Sequence, residues 1–134
     1  LQNFRGEIMQ IPPMYSALKV NGQKLCDLAR KGKEVERQAR PVFIHEIEIL
    51  ELQLPVVKLR VACSKGTYIR TLCSDIGKAL GCGGHMAELL RTRTGAFSLE
   101  NAIKLDELKA LKFERWAELA QLAQKKQTIE FHLF

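Results

Sequence analysis

Patterns that would build a metal centre or a disulfide framework are missing from this chain. Its four cysteines, Cys26, Cys63, Cys73 and Cys82, contain no C-x-x-C pair, and His45, His85 and His132 stand far apart, so the spacing argues against a zinc site. With 46% hydrophobic residues to build a core, the chain has no need of staples, and the thiols read as reduced and mostly buried, as in a cytosolic protein. No apolar run approaches the length of a membrane span, and Leu1-Gln2-Asn3-Phe4-Arg5 has no signal-peptide character, so a soluble, untargeted chain with no membrane-spanning segment is expected. Internal repeats and low-complexity segments are also absent.

What is present is a basic chain of 134 residues, long enough for one compact domain with one core. The net charge of +6 favours a polyanionic partner, with nucleic acid ahead of a membrane surface. An isoelectric point near 9.3 is equally compatible with a basic domain that binds neither. The chain opens on Leu1 instead of Met, in residues that look like the middle of a domain, so a piece of a longer protein is expected.

Hydrophobic periodicity divides the chain into elements. Ile11-Pro12-Pro13-Met14-Tyr15 is extended because each proline fixes its own φ and biases its predecessor away from helix. Ser16 to Val20 can continue as a short strand, and Asn21-Gly22 signals a tight turn. Leu25, Leu28 and Ala29 share one face of a helix over Lys24 to Lys31, which Gly32 ends, and Arg30, Lys31, Lys33, Arg37 and Arg40 flank it as a basic surface. Val42–Leu50 and Val56–Cys63 are β-rich and separated by Gln53-Leu54-Pro55, which predicts an antiparallel pair. From Thr67, read as the N-cap, Ile69, Leu72, Cys73, Ile76 and Leu80 recur at helical spacing until Gly81. His85 to Phe97 reads as a third strand, with Leu89, Arg91 and Arg93 on one face, and helix as the competing assignment. Leu105, Leu108 and Leu111, then Trp116, Leu119, Ala120 and Ala123, form two short amphipathic sets that read as scaffold.

The densest chemistry lies in Cys63-Ser64-Lys65-Gly66-Thr67-Tyr68-Ile69-Arg70, where a strand ends in a small basic loop and a helix begins. Backbone N–H groups at a helix start, with Lys65 beside them, suit an anion, whereas Tyr68 and Arg70 suit a flat ring or a carboxylate. Three readings follow from the residues alone. A nucleotide phosphate loop is disfavoured because Lys65 precedes the only glycine. An RNA-binding module would use Lys65, Arg91 and Arg93 on phosphates and Tyr68 against a base. The third reading makes Tyr68 a partly buried anchor and Arg70 a surface helix residue.

Three separated stretches carry a resemblance to a known family. Phe4-Arg5-Gly6-Glu7-Ile8-Met9-Gln10-Ile11-Pro12-Pro13-Met14-Tyr15-Ser16-Ala17-Leu18-Lys19, then Cys63 to Arg70, then Leu89 with Arg91 to Gly95, resemble the TruB family of tRNA pseudouridine synthases, collinearly from about Leu1 to Leu111. The resemblance implies isomerisation of uridine 55 in the tRNA T loop to pseudouridine, without metal or cofactor, on a base flipped out of the RNA stack. It implies Tyr68 and Arg70 as catalytic residues: Tyr68 lining the pocket against the uracil, and Arg70 pairing with a nucleophilic aspartate. Leu89 would add an apolar wall, and Lys65, Arg91 and Arg93 would contact the RNA backbone.

One part of the family pattern has no counterpart. The nucleophilic aspartate of these enzymes lies in a Gly-Thr-Leu-Asp-Pro type motif upstream of the region that Leu1 begins, and only Asp27, Asp75 and Asp106 occur here, each in a helical context. The expectation is therefore an α+β fold, a mixed and mostly antiparallel sheet with packed helices, forming part of the synthase catalytic fold. Residues 1–111 would be the C-terminal portion of the catalytic domain, and 112–134 a helical segment and tail of the same domain. Alone, the chain would be inactive and prone to self-association through open strand edges, with a non-catalytic RNA-binding module as the alternative.

Overall fold

The computed structural model of the chain describes residues 1–110 and 129–133. Leu111 and the amphipathic set from Trp116 to Ala123 lie outside the described residues. Length alone suggests one core, yet the chain forms two compact units, one from Leu1–Phe43 and Gly66–Met86, the other from Ile44–Lys65 and Ala87–Phe134. Each unit is assembled from two stretches because the chain leaves the first, builds a hairpin, and returns.

In the first unit, strand β1 (Gly6–Gln10) stops where Ile11-Pro12-Pro13 begins, since neither proline has an N–H to offer a ladder. Strands β2 (Lys19–Val20) and β3 (Gln23–Lys24) pair antiparallel across Asn21-Gly22, whose φ values of 50° and 79° are those of a hairpin turn. Only the last two residues of the expected Ser16–Val20 strand find a partner, because the hairpin has only two on its return side. Helix α1 (Leu25–Arg30) follows, burying Leu25 and Leu28. Its end is closed by Gly32 N–H on the Ala29 carbonyl at 2.9 Å and Lys33 N–H on the Leu28 carbonyl at 3.0 Å.

Helix α2 (Ile69–Ala79) shows the expected periodicity, with Ile69 and Leu72 buried. Its start differs from the sequence reading: Tyr68, not Thr67, occupies the N-cap position, with extended φ −99° and ψ 105° and no side-chain cap. Gly66 at φ +84° turns the chain, and the two residues after it are still outside the helix. Near the other end, Gly77 is buried, and a Cβ there would collide with the backbone of Gly83 and Gly84. The returning loop can lie on α2 only because Gly77 has no side chain, which outweighs the cost of about 1 kcal/mol that glycine brings to a helix.

The second unit is built on strand β4 (Arg40–Gln53), whose first residues belong to the first unit, where β1 is its neighbour in the sheet. As the sequence predicts, strand β5 (Val56–Cys63) returns antiparallel to β4; the connecting Leu54-Pro55 peptide is cis. A register shift at His45 lets Ile44 and Ile47, three residues apart, both be buried, beside Leu59, Val61 and Cys63 of β5. On the wetter side Glu48 stands opposite Arg60, and Arg60 Nε donates to the Glu48 carboxylate at 2.9 Å. Half-exposed as it is, that pair contributes at most about 1 kcal/mol.

The segment read as one strand from His85 to Phe97 is instead two, β6 (Leu89–Thr94) and β7 (Phe97–Ser98), joined at Gly95-Ala96. A helix follows at α3 (Leu105–Ala110), and strand β8 (Ile129–Leu133) inserts between β5 and β6, antiparallel to both. The strand order in this unit is β4-β5-β8-β6-β7. Mixed helices and antiparallel strands make the α+β class that was expected. The register of β6 against β8 shifts between Arg91 and Arg93, so the strict alternation read from the sequence is broken at Thr92.

Candidate functional site

The first unit holds Tyr68 and Arg70, and both are gripped by the short run from Gln10 to Tyr15. Gln10 is only 2% exposed, and its carboxamide meets the backbone of Tyr68 at two points. Oε1 accepts the Tyr68 N–H at 3.0 Å, and Nε2 donates to the Tyr68 carbonyl at 3.3 Å. That carbonyl also receives the Leu72 N–H at 3.0 Å, the first bond of α2. The Tyr68 ring is half-buried at the head of the helix.

Arg70, two residues on, is exposed, and its Nη2 donates to the Tyr15 carbonyl at 2.7 Å. It takes part in no ion pair among the described residues, so its positive charge is available to an incoming anion or carboxylate. The side chain of Tyr15 is itself 58% exposed, an aromatic ring in open contact with solvent. The Pro12 carbonyl of the same run accepts Arg37 Nη1 at 3.3 Å, which ties the extended stretch down between its ends.

The second unit holds the other sequence-derived residues. Leu89, Arg91 and Arg93 all lie on β6 and are exposed, Leu89 to 42%. Arg93 Nε donates to the Gly95 carbonyl at 3.3 Å, which holds the guanidinium against the β6–β7 turn. An open cleft of about 730 Å³ runs beside it, lined by Arg60, Leu90, Thr92, Arg93 and Leu99 among others. Lys65 is exposed at the end of the first stretch of this unit, in the turn with Gly66.

None of the chain's three aspartates pairs with Arg70. Asp27, Asp75 and Asp106 lie on α1, α2 and α3, each paired three residues on with Arg30 at 3.4 Å, Lys78 at 3.5 Å and Lys109 at 3.6 Å. Among the described residues no three His, Cys, Asp or Glu side chains gather as a metal site requires. No helix among them is long and apolar enough to cross a membrane. Gln10 went unremarked in the sequence because a glutamine between hydrophobic residues at a strand end carries no periodic signal; its burial and its two bonds are tertiary facts.

Fold and site together define a class, that of α+β chains with a Tyr–x–Arg pair at a helix start braced by a Pro-Pro run. Two family models cover nearly the whole length: TruB family pseudouridylate synthase (N terminal domain) over residues 1–69, and tRNA pseudouridylate synthase B C-terminal domain over residues 70–125. The chain belongs to the TruB family of tRNA pseudouridine synthases. It is 58% identical over 123 residues to tRNA pseudouridine synthase B of Francisella philomiragia, a match covering 92% of this chain and 40% of that protein. It is 57% identical over 115 residues to the protein of that name from Francisella tularensis subsp. novicida, covering 86% of this chain and 38% of the relative. The chain thus spans about 40% of the length of the curated relatives it matches.

Proposed function

We propose that this chain supplies part of the active site of a tRNA pseudouridine synthase acting on uridine 55 of the T loop, with Tyr68 and Arg70 as its catalytic residues. The observation that carries the reading is Arg70, an exposed guanidinium held by the Tyr15 carbonyl and matched by no carboxylate of its own unit. An aspartate approaching it would be kept ionised by the adjacent positive charge and oriented by the two-pronged geometry of the guanidinium. In the isomerisation the N1–C1′ bond of uridine breaks, a C5–C1′ bond forms, and the C5 proton is lost while N1 gains one. Atoms and electrons balance without oxidant, metal or cofactor.

In this reading the half-buried ring of Tyr68 faces the flipped uracil, and Leu89, exposed on β6, is the apolar residue that the family resemblance adds to substrate binding. Lys65, Arg91 and Arg93 neutralise RNA phosphates, in keeping with the net charge of +6. The partner is tRNA, met in the cytoplasm. Because none of the three aspartates pairs with Arg70, the reading has the chain alone bind tRNA without turning it over.

A chimera tests this. Replacing the matched segment of the Francisella philomiragia synthase by this chain should give an enzyme that forms pseudouridine at the T loop of unmodified tRNA, whereas the isolated chain forms none. In the chimera, Arg70→Ala should lower kcat by about a thousandfold, roughly 4 kcal/mol of transition-state stabilisation, with tRNA affinity little changed. Equal losses of binding and rate would make Arg70 a phosphate contact instead. Pseudouridine formed by the isolated chain would refute the claim that its nucleophile lies elsewhere.

A further inference from the structure

We propose that Gln10 is a positioning residue for Tyr68, holding the backbone of the helix start so that the Tyr68 ring faces the substrate base; the inference rests on the function proposed above. A carboxamide is a copy of a peptide group, one acceptor and one donor set side by side. Gln10 uses both on a single residue, taking the Tyr68 N–H at 3.0 Å and giving to the Tyr68 carbonyl at 3.3 Å. It therefore does for Tyr68 what a neighbouring strand would do, across 58 residues of sequence.

Tyr68 needs such a partner. The N–H of an N-cap residue has no acceptor within the helix, and here no side-chain cap replaces one. With φ −99° and ψ 105° the residue is extended while the next is helical, so its backbone angles decide where the ring points. Left unpaired, this junction could turn; paired at both polar groups, it cannot do so without breaking two bonds. Burying an amide is unfavourable unless its hydrogen bonds are satisfied, and an apolar side chain would fill the same volume without that penalty. Ile11-Pro12-Pro13 then stiffens the run that ends at Tyr15, whose carbonyl takes Arg70 Nη2 at 2.7 Å. One short, stiff stretch thus sets the attitude of both site residues.

Gln10→Met keeps the length and bulk of the side chain and removes both bonds. In the chimera it should lower kcat by at least about tenfold, with KM for tRNA and tRNA affinity within about twofold of the parent, because only the alignment of the ring is lost. Leu28→Ala is the control, a buried residue of α1 in the same unit: it should lower the melting temperature while leaving kcat of the folded protein within about twofold. In the isolated chain, Gln10→Met should speed amide exchange at Tyr68 by at least about tenfold relative to Leu72. A chimera that is inactive with Gln10 intact would count against the function and leave the exchange measurement to decide the clamp. Unchanged exchange at Tyr68, or unchanged kcat in a folded Gln10→Met chimera, would overturn the inference.

Discussion

The four thiols show how far a single side chain's chemistry depends on its surroundings. Cys63 is buried in the sheet, Cys26 and Cys73 are half-buried, and Cys82 is exposed, its Sγ 3.3 Å from the Gly83 carbonyl. All four are in the thiol form, outside any disulfide, yet the expectation that they are mostly buried holds fully for Cys63 alone. Burial pushes the Cys73 thiol above the ordinary range, since a thiolate there would lose its water. Only the thiolate reacts, so a disulfide reagent at pH 8 should modify Cys82 at least about tenfold faster than Cys73, with Cys63 reacting only on unfolding. Mass spectrometry of the partly labelled chain checks the order, and label on Cys63 in the native state would show that the sheet opens. The periodicity of Ile69, Leu72 and Cys73 identified a helix face correctly, but Gln10 and Tyr15 gave no sign of their role. Their partners lie more than 50 residues away, and pairing at that distance is not written in local pattern.

Helices and strands were legible where the pattern was local and long. The β4–β5 pair, α1 and α2 follow directly from alternation, helical spacing and turn residues. β8 was not foreseen, because five residues of alternating character become a strand only when β5 and β6 leave a gap to fill. The same dependence on neighbours breaks β6 at Thr92 and moves the head of α2 from Thr67 to Tyr68. At the other end of α2, Gly77 carries the close approach of the Gly83-Gly84 backbone. Gly77→Ala improves intrinsic helix propensity and should nevertheless destabilise the chain by about 1–3 kcal/mol, since neither backbone can move aside cheaply. A lower urea midpoint with an unchanged slope is the expected result; a raised midpoint would mean that the loop yields.

Among the described residues, an open apolar surface sits at the tip of the β4–β5 hairpin, where Leu52 is 60% and Leu54 80% exposed. Val56 and Ile49 extend it along the two strands. A cluster of this kind on a basic chain favours association with apolar surface of a second copy, and we expect the isolated chain to self-associate at tens of micromolar. Sedimentation velocity across a hundredfold concentration range checks this, and Leu54→Lys should shift the distribution toward monomer. A single monomeric boundary throughout would show that the tip is covered by the chain itself. Added salt should steeply weaken the tRNA binding proposed above while leaving this association in place, because the one would be carried by phosphate neutralisation and the other by apolar burial.

Composition, turn residues and short-range periodicity were enough to read the α+β class and the basic character, and to single out Tyr68 and Arg70 as candidates whose roles the family resemblance proposes. These depend on residues within a turn or two of one another, where spacing maps directly onto a face. The division into two units, the insertion of β8, the bare approach at Gly77 and the grip of Gln10 and Tyr15 on the helix start were decided by the tertiary structure. Each requires groups far apart in the chain to satisfy hydrogen bonds or share space, and only the folded backbone brings those groups within reach.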